Sequence, residues 1–358
     1  MIVGIPKESK DREYRVAMTP FGVKTLVSHG HQVLVQKKAG EESGFLDRDY
    51  QVAGATLVAS FSEVARKSDF ILKVKEPSLA ETSFLRPGQI LFTYLHLAAN
   101  PKLTQALLKK KVTAIGYETV ELSDRSLPLL KPMSAIAGRL AVQFGAYYLF
   151  RDHGGKGKLL SGLEGVEPAT VTILGSGTVG TNAAQIACGL GAKVVVLDIF
   201  EKSLSQIRER FGEKVQTLLS DSSNIQQLLS QTDLLIGAVL IHGAKAPKLV
   251  TRKMLKLMEP GSVIVDVAVD QGGCVETSKP TTHLKPTFII DGIIHYGVTN
   301  MPGCVPRTAT AALAHATLPY VLELADKGIE AALTNNSALK KGVNLKNGEI
   351  VYPALFQS

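Results

Sequence analysis

Four polar side chains follow apolar runs of the sequence, and their types suit chemistry on a small anionic molecule. Arg15 lies in "ESKDREYRVAMTP", downstream of "MIVGIP", while Lys75 closes "FILKVK", His96 closes "QILFTYLH" and Asp270 closes "SVIVDVAVD". An arginine offers a planar fork to a carboxylate, and a lysine adds a second cation. Histidine as a residue type exchanges protons near neutral pH, and an aspartate can act as a base. Taken singly, each has a plainer reading as a loop charge, a solvated strand end, a polar cap or a helix N-cap, because polar residues gather at strand ends anyway. Taken together they form a set for holding a carboxylate and moving protons beside it.

For such residues to meet, the runs that precede them must be strands whose carboxyl ends open on one crevice, the place where ligands sit in α/β proteins. The pattern fits. "MIVGIP" is followed by Thr19-Pro20 as a helix cap and first turn, a helix to Gly30, and "HQVLVQ". The alternation continues through "FSEVARKSD", "FILKVK", "QILFTYLH", a helix opened by Asn100-Pro101, and "VTAIGYE". "SAIAGRLAVQFGAYYLF" reads as a long helix with Ser134 as its N-cap, and "HGGKGKLLSG" as a glycine-rich loop. Further strands are expected in "VQTLLS", "TDLLIGAV", "SVIVDVAVD" and "TFIIDG", then a long helix from Thr308 to Lys327. The tail beyond it is too short for a core of its own and must pack elsewhere. The expected architecture is α/β, with two Rossmann-like doubly wound domains and an active-site cleft between them. Residues 1–130 with 307–358 would form the substrate domain, and 131–306 a nucleotide-binding domain.

That second assignment rests on "ATVTILGSGTVGTNAAQIACGLGAKVVVLD" at 169–198. An apolar strand runs into Gly175-Ser-Gly177-Thr178-Val179-Gly180 and then a helix, whose first N–H groups and positive dipole end can hold a pyrophosphate. The first glycine permits the turn, the second lets phosphate approach, and the third lets helix and strand pack closely. A lone glycine motif is weak, but this one has its strand, its helix and, about 20 residues on, the acid Asp198. A plain βαβ turn is the competing reading. A carboxylate there accepts bonds from a ribose 2′-hydroxyl and repels a 2′-phosphate, which favours NAD over NADP. Lys202 lies near enough to temper that preference.

Composition narrows the function classes. With 358 residues, 45% hydrophobic and 20% charged, the chain suits a soluble protein of two domains. The net charge of +8 is dispersed, Trp is absent and aromatics are 6%, so a nucleic-acid surface is not favoured. The main basic cluster, Lys109–Lys111, reads as a helix C-terminus. Neither a signal peptide nor a membrane helix is expected, and the cytoplasm is the default compartment. Cys188, Cys274 and Cys304 are widely spaced and read as free thiols, with no metal implied.

The strings "GIPKESKDREYRVAMTP", "KVKEP", "TYLHLAA", "YETVE", "AGRLAVQ", "ILGSGTVGTNAAQIA", "DVAVDQGG" and "HYGVTNMPGCVPRTAT" resemble, in this order and over essentially the whole chain, the alanine dehydrogenase family. The resemblance implies an NAD-dependent, reversible oxidative deamination of L-alanine to pyruvate and ammonium by a homohexamer. It implies Arg15 and Lys75 as the substrate-binding pair and His96 and Asp270 as the acid/base groups. For the cofactor it implies Ser134, Gly175, Gly177, Thr178, Val179, Gly180, Asp198, Ser220, Val239, Leu240, Val267, Ala268, Val269, Val298, Asn300 and Met301. The chain departs from the family pattern after the ribose acid, where Lys202-Ser203 stands in place of a common arginine. The alternative is the NAD-binding peripheral subunit of a proton-translocating transhydrogenase, which shares the fold. The assembled set Arg15, Lys75, His96 and Asp270 and the lack of membrane segments argue against it. A lysine-type opine dehydrogenase and a non-catalytic scaffold are more distant readings.

Overall fold

The structure, a computed structural model, describes residues 1–239 and 246–357. Its strands are β1 (Ile2–Ile5), β2 (Gln32–Gln36), β3 (Thr56–Val58), β4 (Phe70–Leu72), β5 (Ile90–Thr93), β6 (Thr113–Gly116), β7 (Thr170–Leu174), β8 (Lys193–Asp198), β9 (Val215–Leu219), β10 (Leu234–Gly237), β11 (Val263–Asp266), β12 (Thr287–Ile290), β13 (Ile293–Tyr296), β14 (Val343–Lys346) and β15 (Glu349–Ile350). The chain divides into two compact units, Met1–Met133 with Pro302–Ser358, and Ser134–Met301.

The first unit is built on a sheet of order β15-β14-β6-β5-β4-β1-β2-β3. Strands β1 to β6 are parallel and run in the doubly wound order 3-2-1-4-5-6. Every residue of β4, β5 and β6 is buried, as expected for parallel strands covered on both faces. The helices between them begin where the sequence supplies caps. Thr19 accepts from Gly22 N before Pro20–Ser28, and Asn100 accepts from Leu103 N at 3.2 Å before Pro101–Lys110. The tail adds β14 antiparallel to β6, with β15 folded back on it. Leu345 thereby joins the core of Leu91, Leu95, Leu103 and Leu107. Neither β14 nor β15 is foreshadowed by the sequence reading.

The second unit repeats the plan with a sheet of order β12-β13-β11-β10-β7-β8-β9, parallel except for β12 against β13. Counted from β7, the parallel strands again run 3-2-1-4-5-6, so both units are Rossmann-like. Leu174, Val195, Leu197, Leu235 and Ile264 make its core with Cys274.

Several sequence expectations are corrected. The helix expected to start after Ser134 spans Lys131–Tyr148, so Ser134 lies in its first turns and is not the N-cap. The chain is already turning before it: Leu130 N and Lys131 N both donate to Leu127 O, and Pro132 is tolerated in a first turn. The three runs ending in Lys75, His96 and Asp270 are regular strands only as far as Leu72, Thr93 and Asp266. In each case a carboxylate side chain takes the backbone N–H groups just beyond, as described below. Asp270 lies within the turn Val267–Gln271, and Asp266 is the residue that caps that turn.

Among the described residues no helix is long and apolar enough to cross a membrane, and Cys188, Cys274 and Cys304 are free thiols.

Candidate active site

In the first unit Arg15, Lys75 and His96 sit on segments fixed by acids. Arg15 is 2% exposed and grips Glu13 through two bonds, Nε to Oε1 and Nη2 to Oε2, each 2.6 Å. Its Nη1 reaches Met133 Sδ at 3.0 Å. Burial opposes the Arg15 charge, but the bonds to Glu13 outweigh it and the guanidinium is held still more firmly protonated. Lys75 follows β4 and feels Arg15 directly. Burial is the larger influence and the Arg15 charge the next, and both hold its ammonium below the ordinary lysine range. Two cations therefore sit within electrostatic reach of each other, an arrangement that an incoming carboxylate would relieve.

His96 stands at φ +46°, ψ +38°, a left-handed conformation that a non-glycine residue seldom adopts. Glu118 holds it there. Its Oε1 accepts from His96 N at 2.7 Å and from Leu95 N at 3.0 Å, and lies 4.0 Å from the ring's Nδ1. The imidazole is half-exposed and lies nearly parallel to the Tyr94 ring, 6.1 Å between centroids. Tyr94 is buried, donates from its hydroxyl to Leu129 O at 2.7 Å, and has its phenol pushed up by that burial. The result is a fixed, solvent-reachable imidazole on a rigid aromatic base.

In the second unit the glycine turn has the expected geometry. Gly175 takes φ +101°, and a side chain on Gly180 would come within 1.8 Å of Gly175 O. At Gly177 a Cβ would meet nothing within 4 Å, and no side chain caps the helix Thr178–Gly189 that starts there. Open space before uncapped N–H groups is what a phosphate group needs. Asp198 ends β8, with Oδ2 accepting from Ser176 N at 2.8 Å and Ser176 Oγ at 2.6 Å, and Oδ1 accepting from Phe200 N at 3.0 Å. Ser220 N donates to Asp198 O, while the Ser220 hydroxyl is buried with no hydrogen-bond partner among the described residues. These features fit a dinucleotide.

Asp270 is exposed on the turn Val267–Gln271, which Asp266 caps by accepting from Ala268 N at 3.1 Å while its other oxygen accepts from Val275 N, beyond the turn, also at 3.1 Å. Val267, Ala268 and Val269 share this turn, while Val298, Asn300 and Met301 follow β13, with Asn300 at φ +59°. Val239 lies just beyond β10. Leu240 lies outside the described residues.

Glu13, Glu118, Tyr94 and Asp266 were not singled out from the sequence. Nothing in the spacing of a single sequence marks a carboxylate that binds backbone N–H groups across a fold.

Residues 4–137 match the family model described as the N-terminal domain of alanine dehydrogenase/PNT, and residues 141–353 match its C-terminal domain. The chain belongs to the alanine dehydrogenase/PNT family. An alanine dehydrogenase of Methanococcus maripaludis is 55% identical over 356 residues, 99% of this chain and 95% of that one. A solved L-alanine dehydrogenase is similar with a TM-score of 0.97 and 52% identity, covering 100% of this chain and 98% of that one. A transhydrogenase from Sinorhizobium meliloti is similar with a TM-score of 0.85 and 28% identity, covering 99% and 100%. The two alanine dehydrogenase/PNT domain models adjoin inside the helix Lys131–Tyr148. The C-terminal model runs on through β14, although that strand pairs in the first unit's sheet. Membership of this family implies a nicotinamide cofactor, and the turn Gly175–Gly180 with Asp198 is suited to hold its dinucleotide.

Proposed function

We propose that the protein catalyses the reversible oxidative deamination of L-alanine, in which L-alanine, NAD⁺ and water give pyruvate, ammonium, NADH and a proton. The observation that carries this is a contrast in similarity: 52% identity at a TM-score of 0.97 to an L-alanine dehydrogenase, against 28% and 0.85 to a transhydrogenase. A homohexamer, drawn from the family resemblance, and a cytoplasmic location, the default reading of the sequence, are part of the proposal.

NAD⁺, when bound, supplies the hydride acceptor. The chain's residues do the rest. Arg15, held by Glu13 through Nε and Nη2 and touching Met133 Sδ through Nη1, would meet the substrate carboxylate, and Lys75 would add the second cation. Holding the carboxylate at two points orients Cα–H, an effect able to supply much of a barrier reduction. His96 and Asp270 would carry the proton transfers that water addition and ammonium loss require. In the reductive direction His96 would donate to the pyruvate carbonyl oxygen.

Two expected outcomes test the binding roles. Asp198 should set cofactor choice, since its carboxylate repels a 2′-phosphate. Asp198→Ser should tighten NADPH binding roughly tenfold or more, measured by fluorescence titration. Equal use of NAD and NADP by the unchanged chain would remove this role. Lys75 should give pyruvate binding an alkaline limit. Because its ammonium is held below the ordinary lysine range, the cation is lost as pH rises through that lowered value, and pyruvate affinity for the NADH complex should fall with it. Lys75→Arg, whose guanidinium stays charged, should abolish that fall in calorimetric titrations without ammonium. An identical profile in both proteins would show that Lys75 does not hold the carboxylate.

The reaction itself is tested in the reductive direction: NADH should be consumed only when pyruvate and ammonium are both present, with L-alanine as the product. Consumption with pyruvate alone would mean a different dehydrogenase.

A further inference from the structure

We propose that Glu8 is a positioning residue for Lys75, and that the buried Lys73 is there as the counter-charge of Glu8. The inference rests on the reading of Lys75 as a substrate-binding cation.

Lys73 is fully buried, with Nζ 3.2 Å from Glu8 Oε2, 3.6 Å from Glu81 Oε1 and 5.7 Å from the Phe61 ring centroid. The Glu8 side chain is 1% exposed. The neighbours of Lys73 along the chain, Phe70, Ile71, Leu72 and Val74, are all buried and apolar. An apolar residue at 73 would extend that run without a break. A buried ion pair is often no better for stability than packed apolar side chains of the same volume, because both charges lose their water. Stability therefore does not account for the pair.

What the pair does locally is hold backbone. Glu8 Oε1 accepts from Val74 N at 2.6 Å and Oε2 from Lys75 N at 3.3 Å. These are successive amides just beyond β4, so a side chain from the segment after β1 sets the direction in which the main chain leaves the sheet. The Cα–Cβ direction of Lys75 follows from that backbone. A carboxylate offers one oxygen to each amide and faces Lys73 as a charge. Burial is the largest influence on the Glu8 carboxyl and holds it above the ordinary range, with Lys73 beside it the largest opposing influence. The ammonium of Lys73, 3.2 Å from Oε2, is the counter-charge beside the clamp, and the clamp aims Lys75.

The test is the double variant Glu8→Met/Lys73→Met, which removes both charges at similar volume and leaves Glu81, still bound by Ser78 N, as the acid that loses a cation. Pyruvate KM, kcat and the NADH dissociation constant are measured at saturating NADH and ammonium. We expect pyruvate KM to rise roughly tenfold or more, since small displacements of a binding group cost that much, with NADH affinity unchanged. A loss of folded protein would lower apparent kcat and leave KM alone, so KM separates positioning from a structural role. Glu8→Gln/Lys73→Met, which keeps one amide-accepting oxygen, should recover most of the affinity. If the double methionine chain does not fold, Glu8→Asp reads the same quantity, because it keeps the charge and withdraws the carboxylate by one methylene. Wild-type KM in either variant, alongside a raised KM in Lys75→Ala, overturns the inference and leaves the Lys75 reading intact. Wild-type KM in Lys75→Ala overturns both.

Discussion

Replacing His96 by alanine is expected to lower turnover roughly 10²–10⁴-fold, the usual contribution of a general acid–base group, with NADH affinity and folding retained. The expectation follows from what the residue is fixed to. Its backbone N–H is bound by Glu118, its ring lies over Tyr94, and the imidazole is half-exposed, so its removal empties no core. The left-handed backbone introduces one complication, because alanine tolerates it less well than histidine or asparagine. His96→Asn is the matching control: it keeps the backbone preference and discards the imidazole. Both variants should lose turnover alike. If alanine is slow and asparagine fast, His96 serves the turn. Asp270 and water would then carry the protons.

The second large effect belongs to Arg15. Arg15→Lys should weaken pyruvate binding to the NADH complex by about 1.5–3 kcal/mol, roughly 10–150-fold, the loss of a charge-assisted bond and of planar two-point geometry. Lysine is the informative replacement. Arg15→Ala would strand Glu13, whose side chain is 1% exposed, as a buried uncompensated charge and so confuse binding with unfolding. Arg15→Lys keeps a cation beside Glu13, although it gives up the fork on that side as well. Calorimetry with pyruvate on the NADH complex reads the loss, and NADH titration checks that the cofactor is held as before. Unchanged pyruvate affinity would leave Arg15 as an internal partner of Glu13 and nothing more.

These residues also mark how far the sequence could be read. The turn Gly175–Gly180 was legible because local rules govern it: a strand, glycines and a helix start all leave signals within a dozen or so residues. Caps at Thr19 and Asn100 were legible for the same reason. Ser134 was misplaced because the turn that starts its helix is made by Leu127 O, seven residues upstream and without a cap signature. Strand β14 was missed because its identity depends on pairing with β6, more than two hundred residues away in sequence. The positions of Lys75 and His96 beyond apolar runs were visible, but what ends those strands was not. Glu8 and Glu118 act at separations of 67 and 22 residues, and to a pattern search both are ordinary surface acids. Long-range carboxylate-to-amide bonds carry no periodicity, so the arrangement that orients the candidate site emerged only from the fold.

The proposed activity is most directly tested by mixing the purified protein with L-alanine and NAD⁺ and following NADH absorbance while pyruvate and ammonium are assayed. We expect NADH, pyruvate and ammonium to appear in equal amounts, and NADP⁺ to support little or none of it. No NADH from L-alanine, or hydride exchange between nicotinamide nucleotides without any amino acid, would contradict the assignment.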